Sequence, residues 1–484
     1  MSHDLTDTYE SSVHAHHQAR AAHWDEMARR LDGWTGCGGY YHKRIQQVYR
    51  FLIPPNQRVL ELGCADGGLL ACLRPRVGVG VDISREMIDQ GQDRYPNLRF
   101  VHADAHTVEL DETFDFIILS DLVVELWDVQ QVFENVARFS TPHTRIVVNS
   151  YSRLWEKPLA IAKRLGLARP TLDQNWLTIE DMTNLLYLSG FEVMRKWQEV
   201  IWPIRTPIVD AVFNKGLVRL WPFRHLAMSN VLLARSMPRP VETKQEPTVS
   251  VIVAARNEAG NIAQIMERTP QMGSETELVF VEGHSSDGTY EAIEKAILKH
   301  PHRRCRLFRQ TGKGKGDAVR LGFAQAQGDI LMILDADLTM PPEDLPRYYE
   351  AIRSGKGQFI NGVRLVYRMD SEAMRFANLI GNKFFSMAFS WLLGQPVKDT
   401  LCGTKVLWKR DYDRIAQNRA YFGNFDPFGD FDLLFGAAKL NLKILDMPIR
   451  YRKRTYGTTQ IQRWRHGVIL LRMVLFAAVR IKFV

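Results

Sequence analysis

The chain is poor in cysteine: its 484 residues carry five, Cys37, Cys64, Cys72, Cys305 and Cys402, with no CxxC pair. That spacing argues against a disulfide framework or a thiolate metal site and fits a reducing compartment. No apolar run reaches the roughly 20 residues that cross a bilayer. The opening MSHDLTDTYE has neither the basic flank nor the apolar core of a secretory signal, so the expectation is a protein that stays on the cytoplasmic side. Acids are scarce at one end only. Lys439 to Val484 hold eleven Lys or Arg against the single acid Asp446, which accounts for the formal net charge of +9 and leaves the remainder near neutral. A basic end on a neutral body suits anionic head groups or phosphates better than a long polyanion, and no nucleic-acid-binding module is recognisable. What remains, 45% hydrophobic and 24% charged, is an ordinary globular composition with length for two larger domains.

Met237 to Thr248, with three prolines and no apolar periodicity, reads as a linker between two α/β blocks. The expected division is 1–236, a linker at 237–248, 249–460, and a basic terminal helix at 461–484. In the first block RVLEL, VGVGVD, FDFIILS and RIVVNS read as buried parallel strands, and GFEVMRKWQEVIWPI with NVLLAR as a closing antiparallel pair. In the second, VSVIVAA, ELVFVE, CRLFRQ and DILMILDAD repeat the strand pattern. The early histidines His14, His16, His17 and His23 read as a solvated leader rather than a metal tract.

RVLEL runs into GCADGG (Gly63 to Gly68), small residues that let backbone N–H groups approach a ligand at a helix N-terminus. Gly63, Ala65 and Gly68 also fit a degenerate GxGxxG, so a nicotinamide cofactor stays open on this turn alone. Glu61 lies inside the strand, Asp82 ends the second strand, and Asp104 follows the third in HADA. Together these resemble the class I S-adenosylmethionine-dependent methyltransferases over roughly Trp24 to Arg235. The resemblance implies a seven-stranded Rossmann-like domain in which Glu61 is the strand acid and Gly63, Ala65 and Gly67 flank the amino-acid part of the cofactor. It also puts Asp82 on ribose, with Ile83 and Asp104 beside adenine. Ala65 departs from the glycine usual there. Ser120, Asp121 and Glu125 stand at the expected pocket mouth; Asp121 is a candidate base, or a helix cap.

DILMILDADLTMPPEDL is the sharpest signal in the chain: an apolar strand leaving into Asp335-Ala-Asp337 presents two carboxylates at period two, an arrangement suited to Mg²⁺ or Mn²⁺. With VSVIVAARNE, VEGHSSDGT and GKGKGD before it, the order resembles glycosyltransferase family 2, of the GT-A type and the polyprenyl-phosphate sugar transferase kind. That resemblance implies a nucleotide pocket lined by Glu258 and Glu282, with Asp335 and Asp337 serving nucleotide and metal. It further implies a phosphate-facing loop of Arg454, Gly457 and Thr459. Lys313 and Lys315 are candidates for neutralising the diphosphate, and Asp430 and Asp432 are candidate bases for a hydroxyl acceptor, or caps or arginine partners. Glu282-Gly283 departs from the Asp-Asp of many relatives. Ser285, Ser286 and Asp287 read as caps of the following helix.

The ending RWRHGVILLRMVLFAAVRIKFV is too short and too charged to span a membrane and reads as a basic amphipathic helix lying in the interface; FANLIGNKFFSMAFSWLLG is a second apolar, helix-competent stretch. The expectation is an inverting sugar transfer from a nucleotide-diphospho-sugar to a polyprenyl phosphate or lipid-linked glycan on an anionic membrane surface, joined to S-adenosylmethionine-dependent methylation. The alternative is a glycosyltransferase whose first block is non-catalytic or binds NAD.

Overall fold

In the computed structural model the described residues are 2–30, 38–238, 246–364, 376–419, 429, 431–449, 452, 454, 456 and 463–483. Most of the expected linker, together with Asp430, Gly457 and Thr459, lies outside them. The chain divides into two compact units, Met1–Met237 and Pro238–Lys482.

The first unit opens with α1 (Ser2–Arg30) and α2 (Gly38–Leu52), followed by β1 (Arg58–Leu62), α3 (Gly68–Cys72), β2 (Val77–Asp82), α4 (Arg85–Arg94) and β3 (Arg99–His102). Then come β4 (Phe114–Ser120), α5 (Val129–Arg138), β5 (Ser140–Tyr151), α6 (Glu156–Arg164), α7 (Ile179–Leu188), β6 (Phe191–Glu199), the short turn α8 (Val209–Ala211) and β7 (Ser229–Ser236). The sheet order is β3-β2-β1-β4-β5-β7-β6, with β7 antiparallel to both of its neighbours. The expected strands form because helices cover both faces and bury their Val/Ile/Leu runs; Val59, Leu60, Ile117, Ile118, Val147 and Val148 are fully buried. The antiparallel β7 between β5 and β6 departs from the all-parallel 3-2-1-4-5-6 order of dinucleotide-binding sheets. One expectation is corrected here: β6 stops at Glu199, and Val200, at φ 63, turns the chain away from the sheet before Ile201–Ile204.

The second unit runs β8 (Val249–Ala255), α9 (Ile262–Arg268), β9 (Thr276–Glu282), α10 (Thr289–Lys299), β10 (Arg304–Arg309), α11 (Lys315–Gln325), β11 (Ile330–Ile333) and α12 (Leu345–Arg353). It continues with β12 (Phe359–Val363), α13 (Phe376–Leu393), β13 (Lys405–Trp408), α14 (Lys409–Gln417), α15 (Phe431–Lys439), β14 (Ile444–Pro448) and α16 (Arg463–Ala477). Its sheet order is β10-β9-β8-β11-β13-β12-β14, with β13 antiparallel to β11 and β12. In each sheet the strand order reverses beside the first strand, between β1 and β4 and between β8 and β11. Loops diverge there to opposite faces and leave a crevice at the carboxyl ends of the strands.

α16 packs against α13. Leu470, Met473, Ala477 and Ile481 are buried, whereas Leu471, Leu475 and Val479 are exposed along with Arg472 and Arg480. Among the described residues no helix is long and apolar enough to cross a membrane.

Candidate active sites

Five non-glycine residues with positive φ sit where strands enter the two crevices: Ala65 after β1, Asp121 after β4, Asn257 after β8, His284 after β9 and Leu338 after β11. Left-handed backbone is costly for side-chain-bearing residues and concentrates where geometry serves a site.

In the first unit Glu61, Gly63, Ala65, Asp82, Ile83 and Asp104 face one cavity of about 600 Å³. Gly67 does not line it: at φ 76 it turns the loop, and a Cβ there would meet the Phe100 ring at 2.5 Å. Asp82 holds the turn in shape, its two oxygens accepting from the Ala65 N–H (2.8 Å) and the Ser84 N–H (2.9 Å). Burial outweighs these bonds and raises its carboxyl above the ordinary value. Ala65 adopts φ 47 in place of the usual glycine. A left-handed alanine costs about 1–2 kcal/mol, and glycine's freer unfolded chain offsets about 0.4–1 kcal/mol of that. Ala65→Gly is therefore expected to raise the urea midpoint slightly.

Glu61 is buried, and its Oε2 has no hydrogen-bond partner among the described residues. Burial lifts its carboxyl well above the carboxylate range. An orphaned carboxylate oxygen on a cavity wall fits a ligand ammonium, so the residues present fit S-adenosylmethionine. A hydrogen bond to a charged group contributes about 1.5–3 kcal/mol. Glu61→Gln is accordingly expected to weaken S-adenosylhomocysteine binding by about ten- to a hundredfold in calorimetry, with little change in melting temperature.

The histidine leader is solvated only in part: His14 is exposed, whereas His16, His17 and His23 are half-buried. α1 forms a wall of the same cavity through His16, His17, Arg20 and Trp24. Arg20 pairs with Glu125 and reaches the Asp173 carbonyl, and Asp25 accepts from Ser84 Oγ at 2.6 Å and from the Glu86 N–H at 3.2 Å. His17 Nδ1 lies 2.7 Å from one Asp104 oxygen and His106 Nδ1 2.6 Å from the other. Burial pushes the Asp104 carboxyl up, but these contacts outweigh it and hold it below its ordinary value. The three side chains are close enough to share a cation, and their mutual hydrogen bonds account for the cluster without one.

Asp121 lies at the mouth of the β1/β4 crevice and does not cap a helix; Asp128 caps α5. Its carboxylate accepts from Tyr41 Oη at 2.9 and 3.0 Å and from Asn149 Nδ2 at 2.7 Å. Burial raises it to about 7, against the pull of those hydrogen bonds. Tyr41 and Asn149 come from α2 and β5, and no local pattern in the sequence ties them to Asp121.

In the second unit β11 ends at Ile333, so Asp335 and Asp337 stand on the turn beyond it and not at period two of a strand. The turn reverses at Leu338, φ 54, and Asp337 Oδ1 accepts from the Thr339 N–H (3.1 Å) and hydroxyl (2.7 Å). Each carboxylate holds a different base: Asp335 takes Lys315 Nζ at 2.5 Å, and Asp337 takes Arg454 at 2.6 Å. Arg454 also reaches Glu258 Oε1 at 3.2 Å. Burial lifts the Glu258 carboxyl to about 7 despite that contact. For Asp335 burial acts upward too, but Lys315 outweighs it and holds the group low. A Cβ on Gly403 would come within 2.2 Å of Asp335 and 2.1 Å of Lys315, so only glycine lets this backbone lie against the pair.

Two carboxylates with two displaceable ammonium or guanidinium groups fit a divalent cation and a diphosphate. Glu282, at the end of β9, accepts from the Ser285 N–H at 2.5 Å. Burial raises its carboxyl, and the bonds from Ser285 and His284 outweigh that and lower it. Lys313 is exposed on the loop before α11. The serines do not cap α10: Ser285 Oγ and the Ser286 N–H bind Asn257, while Asp287 accepts from the Thr289 N–H at 3.1 Å. Asp432 is buried in α15 and paired with Arg320 and Arg419, at 3.1 and 3.2 Å. Both contacts fall on Oδ2, the arginine-partner alternative for this residue.

Comparison with known proteins agrees with the two units. Residues 59–143 match a methyltransferase domain and residues 250–424 match glycosyl transferase family 2. The undecaprenyl-phosphate 4-deoxy-4-formamido-L-arabinose transferase of Proteus mirabilis is 31% identical over 173 residues, covering 35% of this chain and 51% of that one. The dolichol-phosphate mannosyltransferase of Pyrococcus furiosus is 38% identical over 219 residues, covering 44% and 59%. The chain thus spans about half the length of the curated relatives it matches. Among solved structures, an S-adenosylmethionine-dependent methyltransferase of Thermotoga maritima, a possible histamine N-methyltransferase, aligns at 15% identity and TM-score 0.35, over 45% of this chain and 99% of that one. The chain thus carries one segment that matches a methyltransferase domain and another that matches glycosyl transferase family 2.

Proposed function

We propose that the chain is a bifunctional enzyme. The second unit transfers a sugar, with inversion, from a nucleotide-diphospho-sugar to a polyprenyl phosphate or lipid-linked glycan, and the first methylates a glycan or related acceptor. The observation that carries the reading is the pairing of Asp335 with Lys315 and of Asp337 with Arg454 at the β8/β11 crevice. Asp335 and Asp337 would hold Mg²⁺ or Mn²⁺, which would neutralise charge on the diphosphate leaving group. Lys315 and Arg454, released from their carboxylates, bind the diphosphate oxygens from the protein side. Glu258 and Glu282 frame the nucleotide. An acceptor phosphate already ionised at neutral pH needs no base; a hydroxyl acceptor would, and Asp432, beside Arg320 and Arg419, is the candidate among the described residues.

In the first unit Glu61 binds the cofactor's ammonium, Asp82 its ribose, and Asp104 the adenine side. S-adenosylmethionine would supply the methyl group, and Asp121 takes the proton from an acceptor hydroxyl. The exposed Leu471, Leu475 and Val479 beside Arg472 and Arg480 support the interfacial reading of α16, and the side proposed for it is the cytoplasmic face. The test is mass spectrometry of lipid-phosphate products formed from a panel of nucleotide sugars, with and without labelled methyl donor. Absence of any glycosylated lipid phosphate or glycan across the panel removes the reading of the second unit; absence of label from every product removes that of the first.

A further inference from the structure

We propose that the methyltransferase unit carries its own membrane-docking face, built by the segment between β6 and β7 together with α6, which seats on an anionic lipid surface. The segment Ile201–Met228 is internally braced. Buried Asn214 accepts from the Ile201 and Trp202 N–H groups, both at 2.8 Å, and donates to the Trp202 carbonyl at 2.7 Å. Ile201, Val218 and Ala227 form a small core of their own, and Arg219 pairs with buried Glu199 at 2.6 Å.

On this braced frame the large apolar side chains point outward: Ile208 is 79% exposed, Trp221 74% and Leu226 52%. Ile208 is a β-branched residue held at φ 71, a conformation such residues rarely adopt. α6 and the turn after it continue the face, with Ile161 58% and Leu165 67% exposed, and Trp155 Nε1 donates to the Leu226 carbonyl at 2.9 Å, joining the two segments.

Charge selects the occupant. Residues 153–170 and 201–228 hold nine Lys or Arg against two acids, Glu156 and Asp210, and Arg153, Lys157, Arg164, Arg205, Lys215 and Arg224 are exposed. Aromatic and aliphatic side chains interleaved with lysine and arginine match a head-group layer, where rings sit at the boundary and basic groups meet lipid phosphates. The face borders the cavity, since Pro158, Leu167 and Ile204 belong to both. A molecule embedded in the bilayer would thus reach the cavity without crossing open water. The docking itself does not depend on the methyl-transfer reading.

The experiment is sedimentation of the full chain with vesicles of phosphatidylcholine containing about a quarter phosphatidylglycerol, compared with phosphatidylcholine alone. The chain is made in a Leu475→Ser/Val479→Ser background that blunts α16. Trp221→Ala/Phe223→Ala is expected to lower partitioning about tenfold or more, and Arg205→Glu/Arg224→Glu about fivefold or more per charge, on the anionic vesicles. Stabilisation by S-adenosylhomocysteine should be kept in both. Trp221→Phe is expected to reduce the blue shift that vesicles induce in tryptophan emission relative to the parent, a readout that needs no disruptive variant. No partitioning by the parent, unchanged partitioning in the variants, or variants that only dissociate an oligomer in light scattering would each overturn the proposal.

Discussion

Asp337→Asn lowers sugar transfer by about a thousandfold or more, while S-adenosylhomocysteine binding in the first unit and the melting temperature of the second stay near those of the parent. The asparagine carbonyl still accepts from Thr339, so the turn through Leu338 keeps its shape. What is lost is one negative charge at the point where the proposed cation and diphosphate would be held together. Arg454, which Asp337 and Glu258 share, keeps Glu258 as a partner, so no buried guanidinium is stranded and the fold has little reason to weaken. The assay is release of nucleoside diphosphate on adding polyprenyl phosphate, with divalent cation removed by chelation and then restored. Chelation should silence the parent and leave the residual rate of the variant unchanged. A variant within tenfold of the parent, or a parent indifferent to chelation, would remove Asp337 from the site.

The strands were legible because a strand covered on both faces must be an apolar run, and RVLEL, VGVGVD and DILMILDAD are such runs ending in glycine or carboxylate turns. That ending puts Glu61 and Asp82 on the wall of the first unit's cavity and Asp335 on the turn beyond β11. What stayed hidden was long-range and polar. Arg454 meets Glu258 across 196 residues and Asp337 across 117, and no periodicity encodes such meetings. α1 escapes a reading from sequence for the same reason. It lines the cavity through His16, His17 and Arg20 and is tied to the start of α4 through Asp25, so the helix shows no apolar stripe and looks like a solvated leader. Val200 to Ile204 read as a continuation of β6 because Trp, Ile and Val have strand propensity; the turn at Val200 is set by tertiary packing.

Asp121→Asn lowers methyl transfer to a hydroxyl acceptor by about 10²- to 10⁴-fold and removes the pH dependence of what remains. In the parent the carboxyl, raised by burial to about 7, accepts a proton only when ionised. The rate should therefore rise about tenfold per pH unit below 7 and level off above it, with the limb absent from the variant. Stability runs the other way. A carboxyl whose folded pKa is raised keeps its proton in the fold after the unfolded chain has released it. Its contribution is complete below the ordinary carboxylate value and declines as pH climbs to about 7. Asparagine carries no charge to desolvate, and its side-chain carbonyl can still accept from Tyr41 or Asn149, so at pH 8 the variant should unfold no sooner than the parent. Loss of rate and retention of stability at the same pH separate a base from a structural residue. If instead the variant keeps the limb near 7, the titrating group lies elsewhere in the cavity, and Asp121 serves only to orient Tyr41 and Asn149.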